Sequence, residues 1–345
     1  MSEDPPTSSR AGMDATELNA ILKIHKTPYD HLPNQHQVWN RPPNSRSEGL
    51  GRLIILTPDI VRAAASTCIQ TGQRISLNWD LTKLEVANFN RQPTQHHVLP
   101  IMNGIAFDDL YIINPQQSSQ WDGLRHFATP VPTEDMPKQR LFYGGVSAGL
   151  QHWAKEGICG RGVLLDYVEY AARHGISYST FSDHSISLDV LKDIAREQQT
   201  EFKFGDILFI RIGVTHEWDT KMTRDDKAAY GASCSPQHAG VEGTEEMLRW
   251  IWDTGFAAVA SDAISFEVYP PKQMYPRGHG DGAVKGIFMH EVLLAGWGFP
   301  IGELFDLEDL ARICKTEKRW EFFVSSAPFN MPGGISSPPN CIAIF

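Results

Sequence analysis

The chain has 345 residues, with hydrophobic side chains at 41% and charged ones at 21%, the proportions of a folded globular protein and not of a fibrous or disordered one. A formal charge of −10 at pH 7, with no Lys/Arg cluster to offset it, repels a phosphate backbone, so nucleic acid is excluded as an expected partner. Five scattered cysteines, odd in number and without a CxxC pair, argue against a disulfide framework and against a thiolate metal site.

In chain order, residues 1–50 are rich in Pro, Ser, Asn and charge, with little apolar periodicity outside residues 18–24, and read as an N-terminal arm. The opening MSEDPPTSSRAGMD is acidic and polar, and no apolar run approaches the roughly 18 residues of a membrane span. No membrane contact and a cytoplasmic location are therefore expected. The globular body is expected over residues 51–345. LIIL at 53–56 reads as a short strand, followed by Thr57 as N-cap and Pro58 at the first helical position of a helix that runs to Gln70 and stops at Gly72. RISLNWDL at 74–81 alternates like a half-buried strand. GVLLDYVEYA near 162–171, a helix capped by Ser187, DILFIRIGV at 206–214, a helix over TEEMLRWIWDTG and FAAVASDA at 256–263 continue an alternation of strands and helices. With no internal repeat, this predicts one α/β domain around a central sheet.

Chemistry-bearing residues concentrate in NPQQSSQWDGLRHF at 114–127, which holds Gln116, Gln120, Asp122 and His126 on backbone that Asn-Pro, Ser-Ser and Asp-Gly pairs mark as irregular. A carboxylate flanked by oxygen and imidazole donors suits a divalent cation that activates water near neutral pH. The same residues also fit a plain reading in which Asp122 caps a turn, the glutamines face solvent and His126 is structural. Nearby, Trp121 and Tyr143 suit the lining of a pocket for a flat aromatic substrate, and Arg125 suits a carboxylate contact. His184 and His216 lie beside expected element ends, where α/β pockets open. The adjacent His96 and His97 point to opposite faces of an extended segment and are not expected to share a metal. GxSxG and GxGxxG are absent, which leaves serine-hydrolase, nicotinamide and flavin chemistry unsupported.

The 114–127 segment resembles the signature HxGTHxDxPxH of the cyclase family, metal-dependent hydrolases that include bacterial kynurenine formamidase and isatin hydrolase. Gln116, Ser118, Ser119, Gln120, Asp122, Leu124 and His126 take its seven defined positions, and Asp122 and His126 are identical to it. Three further segments resemble the family in the same order: SDAISFE at 261–267 (GxDxxSxD), residues 289–310 (HxxLLxxGIPIxExLxNLxxL) and the closing MPGGISSPPNCIAIF (GGxGSPxRxxAIF). One extra residue stands between His290 and Glu303 in the second of these.

The resemblance implies a single compact α/β domain with a barrel-like mixed central sheet flanked by helices. It implies hydrolysis of an amide, lactam or lactone bond in a small substrate, and a homo-oligomer, dimer or tetramer. It places Asp122, His290 and Glu303 in a metal shell, Gln116 and Gln120 where the family has ligating histidines, and Asp122 and His126 in catalysis, His126 as general acid/base. Amide oxygen is neutral and harder than imidazole nitrogen, so the expected cofactor is one Mn or Zn ion, with preference shifted toward Mn. Two alternatives are a cyclase, dehydratase or isomerase using the same pocket, and a metal-free binding protein that kept the fold.

Overall fold

A computed structural model describes residues 15–38, 45–86, 89, 91–130, 140–141, 148–271 and 288–345; Tyr143 lies outside them. The longer strands and those of the main sheet are, in chain order, β1 (Arg74–Ser76), β2 (Gln95–Ile101), β3 (Ala106–Ile112), β4 (Gln120–Asp122), β5 (Ile158–Asp166), β6 (Ile207–Arg211), β7 (Ala258–Ser261), β8 (Ile301–Glu303), β9 (Glu321–Ser326), β10 (Ser336–Ser337) and β11 (Cys341–Ile344). Nine of them form one mixed sheet in the order β1-β11-β9-β5-β6-β7-β8-β4-β10, curled into a half-barrel and flanked by helices. β5, β6, β7 and β8 are mutually parallel, and the strands on either side of them run antiparallel.

The parallel strands are apolar on both faces because both faces are covered. Leu165, Leu208, Ile210, Val259 and Ile301 enter one core, while Leu164, Ile207, Phe209, Ala258 and Ala260 enter the other. Each of the fully buried Val, Leu, Ile and Phe side chains contributes about 1.5–3 kcal/mol relative to exposure. The helix Leu188–Glu197 is capped by Ser187, whose Oγ accepts from Val190 N, and Glu245–Thr254 is capped by Thr244 and ended by Gly255 at φ 81°. Among the described residues no helix is long and apolar enough to cross a membrane.

Three expectations change. LIIL is no strand: Gly51–Ile55 is a buried 3-10 helix entered through Gly51 at φ 60°, and a four-residue apolar run carries no period to tell the two apart. The described residues of the N-terminal arm pack onto the body: the helix Ala15–His25 buries Ile21 and His25, Tyr29 enters one core and Leu50 the other. The strand at 74–81 is paired only over Arg74–Ser76 and then touches Phe305 through a bridge at Asn78. The helix after Thr57 is found, as Pro58–Cys68, with Thr57 accepting from Ile60 N.

Outside the sheet, β2 and β3 form a hairpin whose apolar residues stand exposed, Met102 at 68% and Ile105 at 80%.

Candidate metal and catalytic site

The first wall is the strap that leads into β4. Asn114 accepts from Gln116 N, Pro115 opens a single turn at Pro115–Gln117, and the two serines then pin the backbone. Ser118 Oγ donates to Trp79 O, and Ser119 Oγ donates to Leu304 O at 2.6 Å while accepting from Trp79 N. β4 pairs with β8 so that Asp122 faces Ile301 and Gln120 faces Glu303. Strand alternation then sends Gln120 and Asp122 to one face and Trp121 to the other. Trp121 is therefore not in the pocket. Its Nε1 donates to Ser326 Oγ and its ring meets Phe305 at 5.2 Å, across from Gly302, where a Cβ would come within 2.7 Å of the Phe305 ring.

The second wall comes from far along the chain. Glu303 ends β8, and His290 stands at the entrance of a π-helix, Glu291–Gly296. Glu267 fixes His290 twice, accepting from its backbone N–H at 3.3 Å and pairing with Nδ1 at 2.7 Å. With Nδ1 engaged, Nε2 faces the cluster, 2.9 Å from Glu303 Oε1 and 3.6 Å from Asp122 Oδ2, the arrangement by which a carboxylate orients a ligating histidine.

Asp122, His290 and Glu303 are all buried, and one donor atom from each lies within 4.8 Å of the others. Asp122 Oδ2 has no hydrogen-bond partner among the described residues. A buried acceptor left in that state costs about 1–3 kcal/mol, which a cation would relieve. One imidazole nitrogen and two carboxylates are a donor set that zinc and manganese both accept, so the residues present fit a divalent ion.

The glutamines do not stand as expected of ligands. Gln116 Nε2 donates to Asp122 Oδ1, and Gln120 Nε2 donates to Glu303 Oε2 at 2.7 Å and to Gln116 Oε1 at 3.2 Å. An amide nitrogen has no lone pair to give a metal, and two carboxylates attract N–H groups. In this arrangement Gln116 and Gln120 hold the carboxylates from behind, while Gln120 Oε1 is buried without a partner among the described residues.

Electrostatics divides the cluster. Burial opposes ionisation of Asp122, yet His126 and His290 and the Gln116 N–H together hold its carboxyl below the ordinary range. Burial, with Asp122 alongside, pushes Glu303 up to about 7. Burial also lowers His126, leaving a neutral imidazole whose Nε2 lies 3.8 Å from Asp122 Oδ2. His290 is pushed down by burial but raised well above its usual value by Glu267, Asp122 and Glu303 around it.

The cluster opens onto a cavity of about 390 Å³ lined by His126, His290 and Glu303 together with Arg91, Phe127, Tyr269 and Phe288. Of the expected pocket residues, Arg125 instead donates to Gly333 O, and His184 pairs with Tyr167 OH and stacks on Tyr178. His216 lies beside Glu308 and lines a separate cavity of about 240 Å³. Glu267, which holds His290, and Arg91, which lines the cavity, are residues of this region that the sequence reading did not single out. The signal for Glu267 was its place as the final acid of the GxDxxSxD-like segment; for Arg91 there was none.

A family model for cyclases matches residues 54–268, a span that takes in the strap, Asp122, His126 and Glu267. The chain belongs to the cyclase family. The chain is similar to the crystal structure of a novel cyclase at 25% identity, over 87% of this chain and 97% of the other, with a TM-score of 0.69. It shares its fold with isatin hydrolase A from Ralstonia solanacearum, at 13% identity over 79% and 91% of the two chains and a TM-score of 0.55. An isatin hydrolase bound to the product analogue thioisatinate also has this fold, at 14% identity over 79% and 91%, TM-score 0.52. No curated protein matches the sequence.

Proposed function

We propose that this member of the cyclase family hydrolyses an amide, lactam or lactone bond of a small, aromatic substrate, using one divalent cation, Mn or Zn, held by Asp122, His290 and Glu303. The observation that carries the reading is the convergence of Asp122 Oδ2, His290 Nε2 and Glu303 Oε1, with His290 and Glu303 lining a cavity that His126 also lines. Bound there, the cation would supply Lewis-acid polarisation of the scissile carbonyl and of water.

This chain's residues have distinct tasks. Glu267 keeps His290 turned so that Nε2 and not Nδ1 faces the cluster. Gln116 and Gln120 engage one oxygen each of Asp122 and Glu303, which leaves Asp122 Oδ2 and Glu303 Oε1 on the His290 side and supports one ion over two. His126, neutral because it is buried, takes the proton of the attacking water at Nε2 and returns it to the leaving nitrogen or oxygen. The aromatic walls Phe127, Phe288 and Tyr269 exclude water and favour a flat substrate.

The test is a panel of formamides, lactams and lactones given to chelated protein with Mn or Zn added back. Cleavage that returns with metal supports the reading; metal that binds without cleaving any class removes it. A second reading, a metal-free binding protein or a cyclase, is favoured by the two glutamine N–H groups already satisfying carboxylate oxygens, and it gains if neither ion binds at micromolar concentration. The exposed apolar hairpin β2–β3 supports a homo-oligomer, since an isolated two-stranded hairpin is marginal in water.

A further inference from the structure

Arg91 lines the same cavity and has no part in the chemistry assigned above. It is half-buried, its guanidinium lies over Phe89 at 5.2 Å from the ring centre, and its hydrogen bond, to Gln116 O, is long at 3.5 Å. Among the described residues no carboxylate pairs with it. Arg211 binds Asp166 and Glu308 and Arg161 binds Asp206, while Arg125 and Arg319, also partly buried, donate to the backbone carbonyls of Gly333 and Cys68 and line no part of this cavity. A half-buried guanidinium resting on an aromatic ring, with no carboxylate paired to it among the described residues, is open to an anion, and its planar fork matches a carboxylate with two parallel hydrogen bonds.

The cavity wall connects this cation to the reacting cluster. Aromatic contacts run from His290 to Phe127 at 5.5 Å, to Phe288 at 5.7 Å, to Tyr269 at 6.5 Å and to Phe89 at 5.8 Å, the ring on which Arg91 rests. A flat apolar body laid along that wall would have the metal cluster at one part and a fixed positive charge at another.

We propose that Arg91 is an anion clamp that sets specificity: the cavity takes a flat, largely apolar molecule bearing a carboxylate, bound by Arg91 while the scissile bond lies against Asp122, His290 and Glu303. Only the placement of the scissile bond rests on the hydrolase reading; the preference for an anion does not. A plainer role is also open to Arg91, offsetting the negative charge of the three acids around His290, and the experiment separates the two.

Benzoate and its neutral isostere benzamide are titrated into the full chain by calorimetry, once with chelator and once with Mn. Benzoate is expected to bind at least about tenfold more tightly than benzamide in both conditions, as a charge-assisted bidentate contact should give. Arg91→Gln should remove that tenfold and leave benzamide unchanged, and Arg91→Lys should keep part of it. Equal weakening of both probes, no change for benzoate, or a change confined to Mn uptake would overturn the clamp. Arg91-dependent benzoate binding in a protein that cleaves none of the amide or lactone panel leaves the clamp standing and removes the hydrolase. Cleavage of that panel with no benzoate preference does the reverse.

Discussion

The two walls of the site are built by different means. The strap wall, residues 114–126, is local in sequence and pinned by serine and asparagine side chains, and its amides give hydrogen bonds to the carboxylates. The opposite wall joins Glu267, His290 and Glu303 across a sheet strand end and a π-helix, and offers acceptor lone pairs. A metal needs lone pairs, so affinity should reside mainly in the distant wall plus Asp122, and the strap should govern catalysis and selectivity.

The sharpest way to break this division is His126→Ala. We expect kcat to fall by about 10²–10⁴-fold, the range for a positioned acid/base, with bound metal retained as measured by elemental analysis. Loss of the metal along with activity would make His126 a ligand and erase the distinction between the walls. Next in size is Glu267→Gln, which should weaken metal binding by about 10–100-fold, because it loosens the orientation of His290 without removing a ligand. Titration with a competing chelator reads this directly.

pH tests the distant wall in another way. Glu303 is raised from its ordinary 4.5 to about 7 and His290 is also raised, so both bind protons more tightly folded than unfolded. Their contribution to metal-free stability is complete at low pH; that of Glu303 is lost as pH rises through about 7, and that of His290 as pH rises through its own raised pKa. Metal must displace those protons, so affinity should rise by roughly tenfold per pH unit for each proton released below its pKa. Thermal melts from pH 5.5 to 8 should show the metal-free midpoint falling and the gain from added Mn growing. The smallest effect is expected from Gln116→His together with Gln120→His, roughly a few-fold tighter zinc, since imidazole replaces an amide N–H with a lone pair. Unchanged zinc affinity and stoichiometry would show that positions 116 and 120 lie too far from the ion to matter.

How much of this could be read from the sequence follows from the same contrast. Asp122, His126, His290 and Glu303 were legible through motif resemblance, and the structure brings them together. The extra residue between His290 and Glu303 coincides with a π-helix at Glu291–Gly296, whose wider i→i+5 turn holds one more residue than an α-helical turn. Trp121 was misplaced because the Asn-Pro, Ser-Ser and Asp-Gly pairs marked its segment as irregular, which hid the short strand Gln120–Asp122 whose alternation turns it away from Asp122. Glu267 was missed because its partner lies 23 residues on, a separation that no local period encodes. The orientation of Gln116 and Gln120 depends on which carboxylates surround them, which only the tertiary fold determines.

The most direct test of the central claim is the position of a bound ion. Crystals soaked in Mn should show one anomalous peak coordinated by Asp122 Oδ2, His290 Nε2 and Glu303 Oε1, on the wall that His126 shares. No peak at that point at millimolar Mn, or an ion held elsewhere in the fold, would contradict it.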